Sequence, residues 1–72
     1  KSVSSEMLYD LQEKLVEIIG KKPARELLTP FRQTRTLYDI YNAVTQHAHQ
    51  MKDGEKIHQL EKLGGWMVLN TN

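Results

Sequence analysis

The chain has 72 residues, 39% of them apolar and 26% charged, with a formal net charge of +1 and no cysteine. A chain this short encloses one core, since roughly 60% of the unfolded surface of so small a domain is buried on folding, and its apolar content sets it apart from disordered chains. The lack of thiols excludes a disulfide framework, a thiolate nucleophile and cysteine-ligated zinc or iron–sulfur sites.

No apolar run approaches the ~18 residues needed to span a bilayer, and KSVSSEM lacks the apolar region of a signal peptide. A cytoplasmic chain with no membrane partner is therefore expected. The start at Lys1 and the end at GGWMVLNTN suggest a piece of a longer protein.

The first helical signal follows the serines, where Ser4 or Ser5 can accept a hydrogen bond from an unpaired amide. Leu8, Leu11, Leu15, Ile18 and Ile19 then recur at steps of three and four, which makes one apolar stripe. Glu6 and Asp10 lie at the positive end of this helix, Lys21 and Lys22 lie beyond its negative end, and Gly20 is its stop. Pro23 suits the first turn of a second, short helix anchored by Leu27 and Leu28, and Thr29-Pro30 disfavours its continuation. PFRQTR reads as a bend that carries Phe31 inward, with Arg32 and Arg35 outward.

A third helix is the most strongly specified. Thr36-x-x-Asp39 resembles a capping box, and Leu37, Ile40, Tyr41, Val44, Ala48 and Met51 follow the helical period. Asp53-Gly54 breaks it, and Asp53 caps a fourth helix with Ile57, Leu60 and Leu63 on its buried face. Gly64-Gly65 is expected to end that helix. The apolar WMVL tail then either folds back as a lid through Trp66 and Leu69, which is the favoured reading, or offers Met67 and Val68 as a strand to another part of the parent protein.

The expected architecture is all-α: a small bundle of three longer helices and one short one in a single unit, 1–72, with a short apolar C-terminal tail. Its core is assigned to Leu11, Leu15, Ile18, Leu27, Leu37, Ile40, Tyr41, Val44, Ile57, Leu60 and Trp66.

Chemistry is sparse. His47 and His49 stand about 200° apart around a regular helix and cannot share one ion; His58 adds neither a third ligand nor a fixed carboxylate. The serines sit at a chain end, no Gly-x-Ser-x-Gly turn is present, and Gly64-Gly65 lacks the Lys-Ser/Thr of a phosphate loop. No enzyme, metal site or cofactor is expected.

Charge is more informative. Residues 1–20 carry Lys1 and Lys14 against Glu6, Asp10, Glu13 and Glu17, a net of −2. Residues 21–35 carry Lys21, Lys22, Arg25, Arg32 and Arg35 against Glu26, a net of +4, and the remainder comes to −1. A local basic cluster is how phosphate backbones are met, so these five residues form the candidate nucleic-acid contact. Ordinary solvated helix ends are the plain alternative. The exposed face of the third helix, with Asn42 and Thr45 as a polar contact pair, is not basic, and reading of base sequence in a major groove is not expected.

The residues Thr36, Leu37, Tyr41, Asn42, Ala43, Val44 and Thr45, with His49 as the next imidazole, resemble a Thr-Leu-x-x-x-Tyr-Asn-Ala-Val-Thr helix. That helix belongs to the C-terminal region of a phage- and plasmid-associated family of uncharacterised proteins. The resemblance spans residues 34–69, and Gln46 and His47 stand where the family carries Glu and an aromatic residue. It implies a C-terminal helical subdomain of a larger phage-like protein, in a setting where DNA transactions are common. The function expected is a non-catalytic binding module for DNA or RNA phosphates. The alternative is a structural or self-association subdomain that meets the rest of its parent protein or a second copy.

Overall fold

In the computed structural model, which describes residues 2–33 and 36–71, the expected helices form in the expected order. They are α1 (Ser5–Ile19), α2 (Lys21–Leu28), a 3-10 turn (Thr29–Phe31), α3 (Leu37–Gln50) and α4 (Gly54–Leu69). Ser4 is the first cap: its hydroxyl oxygen accepts from the Met7 amide at 3.0 Å. Gly20, at φ +95°, ends α1 and starts α2, a backbone state in which a side chain would be strained. Its amide donates to the Val16 carbonyl, and its carbonyl accepts from the Ala24 amide. One residue therefore turns the chain from one helix into the next.

One cap departs from expectation and one forms as expected. The Thr36 hydroxyl donates to the Asp39 carboxylate and accepts no bond from an α3 amide, so the capping box is reduced to a side-chain pair. Asp53, in contrast, accepts from the Glu55 and Lys56 amides at 3.0 and 3.3 Å.

The larger correction concerns Gly64 and Gly65, which do not end α4. The helix runs through them to Leu69, so the WMVL tail is its last turn, neither a lid nor a strand. Two contributions outweigh the cost of two glycines, about 1 kcal/mol each relative to alanine. Met67 becomes fully buried, worth roughly 1.5–3 kcal/mol. The terminal carbonyls also find donors: the Thr71 hydroxyl bonds the Met67 carbonyl at 2.6 Å, and the Asn70 side-chain amide bonds the Trp66 carbonyl at 2.8 Å.

Cross-chain contacts fix the directions. The Thr71 hydroxyl reaches the Met7 sulfur at 3.5 Å, and the Lys14 ammonium lies 4.7 Å from the Trp66 ring centroid. α1 and α4 are thus antiparallel, and the α1–α2 and α3–α4 junctions share one end of the bundle. At the opposite end an isolated antiparallel bridge joins Ser2 to Thr36. It pins the N-terminal segment beside the start of α3 and holds Val3 in the interior.

The core consists of Val3, Met7, Leu8, Leu11, Leu15, Ala24, Leu28, Ile40, Val44, Ala48, Leu60, Leu63 and Met67. Ile18, Leu27, Leu37, Ile57 and Trp66, all assigned to the core above, pack around it as partly buried neighbours. Tyr41 is a further correction: it is 37% exposed, because it falls on the edge of the stripe and lays its ring across Gly64 of α4.

Candidate nucleic-acid interface

Helical spacing on α2 sorts its side chains. Ala24 and Leu28 turn inward and are fully buried, while Lys21, Lys22 and Arg25 are exposed. Lys21 and Arg25, four apart, stand one above the other, with Lys22 a step around the axis. The structure therefore brings three of the five expected cations onto one short face. No acidic residue lies in the first turn of α2, and its N-cap, Gly20, has no side chain to offer. The two lysines accordingly sit beside uncapped amides at the positive end of the helix, balanced only by the C-terminal carbonyls of α1.

Arg32 belongs elsewhere. It follows the 3-10 turn, at the far end of about 12 Å of helix, and its guanidinium donates to the Gln12 side-chain oxygen at 2.6 Å. It leans over α1 and ties the turn down. Arg35 lies outside the described residues. Lys52 and Lys56 flank the start of α4, at the same end of the bundle as Lys21 and Lys22, but alternate with Asp53 and Glu55. Reading the chain as a line missed this neighbourhood, since only the antiparallel arrangement of α1 and α4 creates it.

The other singled-out residues are more ordinary. The Thr45 hydroxyl donates to the Tyr41 carbonyl at 2.9 Å and is used within its own helix, while Asn42 is exposed. His47 is half-buried in a groove between α2 and α3 with Glu26, Phe31 and Gln50. His49 and His58 are exposed. Among the described residues no three His, Asp or Glu side chains gather closely enough to hold a metal ion, and no helix is long and apolar enough to cross a membrane.

What this arrangement can do is bind anions by point charges and one guanidinium fork. No protein-family model matches the chain, and no curated protein or solved structure matches it.

Proposed function

We propose that the chain is a non-catalytic helical binding module that meets nucleic-acid phosphates through Lys21, Lys22 and Arg25. The observation that carries this is their placement: three exposed cations on α2 against the single carboxylate of Glu26, at a helix start with no side-chain cap and no acidic residue in its first turn. A phosphate there would meet uncapped amides and ammonium groups together. The resemblance of α3 to a phage- and plasmid-associated family agrees with a nucleic-acid partner. Arg32, bonded to Gln12 at the other end of α2, stands apart from these three.

A salt titration of DNA binding tests the proposal. Three phosphate contacts give a log–log slope of about −2.7 on duplex DNA. Alanine at Lys21, Lys22 and Arg25 together is expected to remove most of that slope, whereas Arg32→Ala alters it by less than one unit. No binding at low salt, or a slope unchanged in the triple variant, would refute the assignment.

A further inference from the structure

Four apolar side chains are left outside the core on a single flank of the bundle. Tyr38 is 73% exposed, Tyr41 37%, Val68 50% and Leu69 79%. Their adjacency follows from one contact: the Tyr41 ring lies 3.7 Å from where a Cβ would stand on Gly64, which sets the register of α3 against α4. One turn back along α3 is Tyr38, and one turn on along α4 is Val68. In an antiparallel pair these are level with each other, and Leu69 continues the patch around α4.

Beside them is Gly65, exposed, with nothing within 4 Å of the Cβ position. A glycine inside a helix costs about 1 kcal/mol against alanine, and no contact within the chain requires one here. Glycine at such a place suits the close approach of another backbone.

We propose that this α3–α4 face pairs two copies of the chain, their α4 helices antiparallel and crossing at Gly65. The self-pairing follows from spacing. About a twofold axis at Gly65, the residue four places after the glycine faces the residue four places before it in the other copy, so Leu69 meets the surroundings of the partner's Glu61. Next to Glu61 in each copy is a notch of about 130 Å³ walled by Tyr41, Thr45 and Gly64, with room for one aliphatic side chain. Each copy thus carries both the projection and the recess that receives it, as a closed twofold contact requires.

Area and charge agree. The four apolar side chains expose on the order of 500 Å², close to the apolar share of the ~800 Å² that each partner contributes to a stable interface. Glu61 faces Leu69 instead of its own counterpart, and a net charge of +1 opposes self-association little. α2 packs on the other flank of α3, so Lys21, Lys22 and Arg25 remain open in the pair. The proposal stands independently of the nucleic-acid assignment.

Sedimentation equilibrium from micromolar to millimolar concentration is the first test: the mass is expected to rise from 8.4 kDa toward twice that value. Gly65→Gln, which keeps a good helix former, and Leu69→Lys should each weaken association at least tenfold with unchanged circular dichroism. Because the chain has no cysteine, the double variant Glu61→Cys, Leu69→Cys provides a geometric test that leaves Gly65 in place. It should cross-link between copies under mild oxidation, whereas Tyr9→Cys, exposed on α1, should not at the same concentration. A mass of 8.4 kDa throughout, association indifferent to both substitutions, or no preference for cross-linking between 61 and 69 would each overturn the proposal.

Discussion

α3 and α4 pack against each other over most of their length, yet they stand in opposite relation to their own sequences. In α3 the signals that set its span agree with the outcome: apolar residues at helical spacing, Asp39 in the first turn, and a break at Met51 just before Asp53-Gly54. In α4 the strongest local signal, the glycine pair, is contradicted by four further helical residues. The difference teaches where the stability of α4 comes from. Its N-terminal half is specified locally by Asp53, and its C-terminal half is held by burial of Met67 and by donors from Asn70 and Thr71.

The largest effect that can break this comparison is loss of that burial. Met67→Ala is expected to cost about 2–4 kcal/mol, a large part of the roughly 4–10 kcal/mol available to a chain of this size. Trp66→Ala, which removes a half-buried ring and its contact with Lys14, is expected to cost roughly 1–2 kcal/mol. Urea unfolding orders the pair. A lid-like tail would reverse the order, with Trp66 the costlier loss.

Much of the fold was legible because short helical hairpins are governed by local rules. Leu11, Leu15, Ile40, Val44 and Leu60 are where the 3.6-residue period puts them. Val3 was not legible: it is buried because the Ser2–Thr36 bridge brings the N-terminus back to α3, a pairing across more than thirty residues. Met67 was hidden behind two glycines, and the C-terminal donors behind what reads as a polar end. Within the candidate site, Lys21, Lys22 and Arg25 could be grouped from spacing alone. The bond from Arg32 to Gln12, twenty residues earlier, depends on how α1 and α2 pack and had no local signature.

The caps sharpen the comparison at a smaller scale. Asp53 accepts two amide bonds at the start of α4, so Asp53→Ala is expected to cost about 1 kcal/mol. Thr36 accepts none from α3, so Thr36→Ala should cost only a few tenths of a kcal/mol. Thermal melts of the two variants, read by circular dichroism, are expected to separate by several degrees. Equal shifts would mean that α3 relies on its cap as much as α4 does, and the contrast between the two helices would then lie in the glycines alone.

The smallest effect is the most specific. A Cβ on Gly65 meets nothing, and one on Gly64 meets the Tyr41 ring at ordinary contact distance. Both glycine-to-alanine changes are therefore sterically allowed within the chain, and each removes a helix penalty of about 0.5–1 kcal/mol. Gly65→Ala should stabilise the monomer by nearly that amount. Gly64→Ala should gain at least as much, because the added methyl meets the Tyr41 ring at ordinary contact distance. The measurement is urea unfolding at micromolar concentration, with the gain at Gly65 diminishing as concentration rises and the second copy begins to occupy the same space. A gain at Gly65 that is independent of concentration would leave the glycine a plain weakness of α4, and a loss at low concentration would show that some contact within the chain uses it.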